Sequence, residues 1–182
     1  EAVKAFWGDT DPLHINEFML EYAGALPQGE DYKLQLANSV WFTGWTFARL
    51  GITGLILRDG VQNSFITGNR FYDISGTAMN IGDFNTGEGA ANANGSAMMK
   101  NNDVISNYIH DIGVDYGAAA AVGVGYVADL DLRHNEIFNV PNSGFHIGWG
   151  WNNLFENNLK NLVVENNFVH DYLGQGLEER CR

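Results

Sequence analysis

The stretch "ITGNRFYDI", residues 66–74, sets apolar Ile66, Phe71 and Ile74 around a central Asn69. The same frame returns as "VISNYIHDI" (104–112), "LRHNEIFNV" (132–140) and "VENNFVHDY" (164–172), and in degenerate form as "FTGWTFARL" (42–50). Counting Tyr172, all fifteen framed positions are apolar, whereas a 45% hydrophobic composition would supply about seven. Four of the five copies place Asn fourth: Asn69, Asn107, Asn135 and Asn167.

A second apolar beat follows each of the first four copies. It reads "GLILRD" (54–59), "AMNIGD" (78–83), "AVGVGY" (121–126) and "GFHIGW" (144–149). A small residue precedes apolar, variable, apolar, which is the alternation of a strand. Leu55 and Leu57, Met79 and Ile81, Val122 and Val124, Phe145 and Ile147 point one way. Ile56, Asn80, Gly123 and His146 point the other.

Units this short cannot each enclose a core, but stacked coils share one. The expected fold is all-β: a parallel β-helix with two short strands per repeat and Asn at one corner of successive coils. Amide side chains stacked in register hydrogen-bond along such a ladder. A β-sandwich with coincidental Asn turns is the competing reading. Residues 38–182 form the β-helix, with small-residue or polar insertions expected at 84–102 and 150–161. Residues 1–37 lack the corner Asn and read as an irregular early rung or part of a neighbouring module. "LEERCR" (177–182) replaces the expected strand after the fifth copy, so the chain reads as a fragment lacking C-terminal rungs and a cap.

The net charge is −12, with ten Lys and Arg among the 182 residues. Phosphate contacts need a basic patch, so nucleic acid is not an expected partner, and neither is an anionic membrane. No apolar run reaches membrane-span length. A neutral ligand suits the charge better than a polyuronate. One cysteine, Cys181, permits no internal disulfide.

Stacking turns the alignment into a surface map. Asp59, Asp83, Tyr126 and Trp149 form one column just past the second beat, beside Ile56, Asn80, Gly123 and His146. Two carboxylates one rung apart would start about 5 Å apart at their backbones, and like charges that close push one pKa up. That is the acid-and-carboxylate arrangement of glycoside hydrolysis. As plain turn residues, "RDG" and "GD" need no chemistry, and Asp59 can pair with Arg58. Asp115, in "GVDYGAAAAVG", is a third candidate acid. In "NSGFHIGWGWNN" (142–153), glycines thin the backbone around Trp149 and Trp151, whose planes suit the C–H faces of sugars. His146, Tyr126 and Asn80 join them as candidate substrate contacts; packing beneath the adjacent insertion would equally explain the tryptophans. "HD" at 110–111 and 170–171 falls at a repeating turn position and reads as architecture, since two rungs of separation are too far for ligands of one metal.

With these coils in view the chain resembles right-handed parallel β-helix proteins of the pectate-lyase-like superfamily over roughly residues 38–176. "GLILRDGVQNSFITGNRFYDISGTAMNIGD" (54–83) and the combination "VGY…HNEIFNVPNSG…GWGW" are similar to secreted bacterial glycoside hydrolases, nearest to glycoside hydrolase family 141, which includes fucosidases and xylanases. The resemblance implies an exported or periplasmic carbohydrate-active enzyme acting on an oligosaccharide or polysaccharide without cofactor or metal. A polysaccharide lyase, or a non-catalytic glycan-binding or adhesive β-helix, are the alternatives. Sugar identity, stereochemical outcome and oligomeric state are not readable.

Overall fold

The computed structural model describes residues 38–58, 60–82, 98–148 and 159–172. The first coil carries β1 (Trp41–Thr43), β2 (Thr46–Leu50) and β3 (Leu55–Leu57). The second carries β4 (Phe65–Thr67), β5 (Arg70–Ile74) and β6 (Met79–Ile81). The third has β7 (Lys100–Ile105), β8 (Tyr108–His110) and β9 (Ala120–Val124). The fourth has β10 (Ala128–Arg133), β11 (Glu136–Val140) and β12 (Ser143–Ile147), and the fifth β13 (Lys160–Glu165) and β14 (Phe168–Tyr172).

Equivalent strands of successive coils pair in parallel. Sheet A is β1-β4-β7-β10-β13, sheet B β2-β5-β8-β11-β14 and sheet C β3-β6-β9-β12. This is a parallel β-helix. It has three strands per coil rather than the two expected, because the nine-residue frame is itself two strands meeting at its central Asn. Phe42, Ile66, Val104 and Leu132 point inward from sheet A, while Phe47, Phe71, Ile109 and Ile137 do so from sheet B; all are buried. In the fifth coil the equivalent Val164 is 46% exposed, since no described strand stacks beyond β13.

The corner between sheets A and B is held by the asparagines. Asn69 Nδ2 donates to Asn107 Oδ1, Asn107 Nδ2 to Asn135 Oδ1, and Asn135 Nδ2 to Asn167 Oδ1, each at 3.0 Å. The second Nδ2 hydrogen of each reaches the preceding coil, at the carbonyls of Phe42, Ile66, Val104 and Leu132. Each Oδ1 also accepts a backbone N–H from the coil before, starting with Trp45 N–H onto Asn69. A buried amide is tolerable because every one of its groups is paired. Trp45, where the first coil lacks Asn, ends the ladder with its main chain alone.

Each coil also turns through left-handed residues. Arg49, Asp73, Asp111, Asn139 and Asp171 share one such position, with φ between 47° and 62°. Asp and Asn tolerate this conformation better than most residues, which explains the repeated "HD" turn without any metal. The strand β7 begins at Lys100 and β13 at Lys160, so the last residues of both expected insertions are strand. Asn102 hid this start. It points into the core, accepting from Ser64 N–H at 3.1 Å and donating to the Val61 carbonyl at 3.1 Å.

Candidate functional site

The outer face of sheet C is the surface that the sequence singled out. Register pairs Ile56 with Asn80, Asn80 with Gly123, and Gly123 with His146, so these four positions form one row. His146 is exposed and Asn80 half-buried; Asn80 Nδ2 lies 3.5 Å from the Thr53 hydroxyl. Stacking continues one residue past the strands: Gly82 N–H donates to Leu57 O, Gly125 N–H to Ile81 O and Gly148 N–H to Val124 O, at 2.8–3.0 Å. Gly82 and Gly148 have φ of 90° and 84°. A Cβ on Gly82 would meet the Gly125 carbon at 3.0 Å and Tyr126 N and O at 3.1 Å. Glycine lets neighbouring coils close up past the ends of β6, β9 and β12.

Asp59, Asp83, Trp149 and Trp151 lie outside the described residues. Tyr126, expected as an exposed substrate contact, is instead 5% exposed. Its chain segment packs tightly against Gly82, so its ring offers no open face to a sugar. Asp115 is exposed on the turn between β8 and β9. Its N–H donates to the Ser75 carbonyl (3.1 Å), and its carboxylate accepts from the Ser75 hydroxyl at 2.6 Å. Tyr116 beside it is 53% exposed. This turn precedes the sheet C strands, whereas Asp59 and Asp83 follow β3 and β6 in the chain. Asp115 therefore marks the rim at which the sheet C strands begin, opposite the rim at which they end.

A concave surface on sheet A went unnoticed in the sequence. Register aligns Trp41 with Phe65, Phe65 with Asp103 and Asp103 with Asp131, all pointing outward. Asp103 and Asp131 are neighbours on adjacent strands. Asp103 is pushed above the ordinary carboxylate value by burial and by the Asp131 charge, with Arg133 pulling the other way. Asp131 is held by the Arg133 guanidinium at 2.9 Å, and Arg133 also grips Glu165. The signal was available one residue upstream of the repeating frame, where Phe65, Asp103 and Asp131 stand at one position. Among the described residues, no three His, Cys, Asp or Glu are grouped to hold a metal ion.

A solved structure described as a glycoside hydrolase is similar to this chain, with a TM-score of 0.59 and 30% sequence identity. The likeness covers 63% of this chain and 20% of that one. No protein-family model matches the chain, and no curated protein matches it either.

Proposed function

We propose that this β-helix acts on carbohydrate as a glycoside hydrolase, with a neutral glycan bound along the outer face of sheet C. The likeness to a solved glycoside hydrolase carries this reading; the row of Asn80 and His146 across the sheet supports the location. Asp83 and Asp59, each two residues beyond a sheet C strand, are the proposed acid and carboxylate. Paired acids of this kind protonate the leaving oxygen and stabilise or attack the anomeric centre. Asp115, on the opposite rim, is assigned to substrate hydroxyls and not to the acid pair. His146, Trp149 and Trp151 are assigned to holding sugar rings, and export to the cell exterior or periplasm goes with the substrate.

Incubation with neutral and uronic-acid glycans, scored for new reducing ends and for unsaturated sugars together, tests this. Reducing ends alone, lost by at least about a hundredfold in Asp83→Asn, are expected. Unsaturated product would replace hydrolysis with elimination. Absence of both on every glycan would leave a binding scaffold.

A further inference from the structure

The outer faces of sheets A and B differ in what their rings leave open. On sheet B, Tyr72, His110, Phe138 and His170 stack face to face along the helix axis, with interplanar angles of 3–11°. Those faces are occupied by one another. On sheet A, Trp41 meets Phe65 edge to face, with centroids 5.5 Å apart at 78°. Trp41 is 68% exposed and Phe65 38%. An indole left this open, with a second ring beside it, presents an apolar surface.

The rings adjoin a shallow cleft of about 430 Å³. Its polar lining has an unusual flaw. Asn63 Nδ2 donates to Asn38 Oδ1 (2.8 Å) and Asn101 Nδ2 to Asn63 Oδ1 (3.1 Å), an outer amide ladder in which Asn63 and Asn101 are left-handed. Farther along, Asn161 Nδ2 donates to Asp129 Oδ1 at 2.9 Å. Between the two segments the ladder breaks. Asn101 gives one of its two amide hydrogens to Asn63, and Asp129 in the next coil has no hydrogen to give. The adjacent column repeats the flaw at the same coil boundary, where Asp103 faces Asp131. Two acceptor-rich rows thus meet at one coil boundary, where Arg133 supplies a donor from the side, to Asp131.

We propose that this face of sheet A is a second carbohydrate-binding site, taking a neutral oligosaccharide laid along the helix axis. It rests on the carbohydrate reading above for the class of its ligand, but not on hydrolysis. Trp41 and Phe65 receive the C–H face of the sugar, and sugar hydroxyls donate into the acceptor gap between the third and fourth coils. From Trp41 to Asp131 is three strand spacings, or roughly 14 Å at about 4.8 Å each, which is the scale of an oligosaccharide. The carboxylates disfavour an anionic glycan by simple repulsion.

Titration calorimetry on the full chain tests the site with three probes of matched length: cellohexaose, hexagalacturonate and a glucosamine hexamer. The Asp83→Asn chain serves as background, so that turnover cannot blur binding. Cellohexaose should bind, hexagalacturonate should not, and Trp41→Ala should weaken cellohexaose binding about tenfold. Phe65→Ala is the second variant, and thermal melting reports folding of both. Cellohexaose binding unmoved by either ring variant would overturn the site, even if hydrolysis on sheet C were found. Binding confined to the cationic hexamer would overturn the neutral-sugar assignment. Trp41-dependent binding in a chain that cleaves nothing would support the site while removing the proposed activity.

Discussion

The β-helix carries two ladders that run the same way and are built on opposite terms. Inside, at the corner between sheets A and B, the ladder is one residue repeated: Asn69, Asn107, Asn135 and Asn167. Outside, on sheet B, it is Tyr72, His110, Phe138 and His170, related by the same register but chemically mixed. The inner ladder is held by directional bonds, with Asn69, Asn107 and Asn135 each donating to both neighbouring coils and accepting from the one before. The outer one is held by flat contact at centroid distances of 5.0–5.4 Å. Directional pairing in a dry interior prescribes the residue, whereas stacking at a wet surface prescribes only a planar ring.

Substitution should expose that asymmetry most strongly inside. In Asn107→Ala, Asn69 loses the acceptor for both its N–H and its Nδ2, while Ile66 O and Asn135 Oδ1 lose a donor. Buried groups left unpaired cost about 1–3 kcal/mol each when relaxation is poor. With partial relaxation, the expected loss in urea unfolding is about 3 kcal/mol. Asn107→Asp should fare no better, since it keeps the acceptor but turns lone pairs toward Ile66 O and Asn135 Oδ1. A loss below about 1 kcal/mol for either would mean that packing, not pairing, fixes the corner.

The same experiment at Phe138 should give a smaller and more permissive answer. Its ring lies between His110 and His170 at interplanar angles of 11° and 10°. Phe138→Ala should cost about 1–2 kcal/mol, and Phe138→Tyr less than about 0.5 kcal/mol, because a planar ring is all that the stack requires. Equal losses for both would show that phenylalanine itself is prescribed and would erase the contrast.

This contrast also explains what could be read from the sequence. The inner ladder announced itself because a short side-chain amide can donate to both neighbouring coils while accepting from the one before, so Asn recurs. The fold followed from it, together with the apolar frame. The number of strands per coil did not, because the nine-residue frame repeats as one unit although the chain bends within it at the Asn69 corner. Asn102 looked like loop although it is core, its two hydrogen bonds coming from residues some forty positions away. On the surface, the row of Asn80 and His146 was legible from alternation alone. The pairing of Asp103 with Asp131 was not, since the coils that bring them together differ in length and the eye stops at the apolar frame. Tyr126 was misplaced for a related reason. Its place two residues past a sheet C strand was readable, but the burial of its side chain was not.

The smallest effect lies within the outer ladder, where two histidines at equivalent positions are wired oppositely. Arg70 Nε donates to His110 Nε2 at 3.1 Å, while His110 Nδ1 faces Asp111 at 2.6 Å. Arginine keeps its proton, so Nε2 is the acceptor and the imidazole hydrogen sits on Nδ1. His170 has carboxylates on both sides, Asp171 at 2.9 Å from Nδ1 and Glu136 at 3.3 Å from Nε2. Both nitrogens can then donate only when the ring is protonated. The pKa of His170 is accordingly raised above the ordinary 6.5, chiefly by the hydrogen bond to Asp171, against some desolvation, with Glu136 adding to the rise. A histidine whose pKa rises on folding stabilises the fold fully below its unfolded pKa, and that contribution fades as pH climbs through the folded value. The docking of β14 on β11 should therefore weaken slightly from neutral pH upward. Nitrogen-15 spectra of the two imidazoles should show His110 with its hydrogen on Nδ1 and His170 doubly protonated, titrating above 6.5. Glu136→Gln should lower the His170 midpoint and leave the His110 tautomer unchanged. If His170 titrated at or below 6.5, the carboxylates would be too well solvated to act on it, and the opposite wiring would have no consequence for charge.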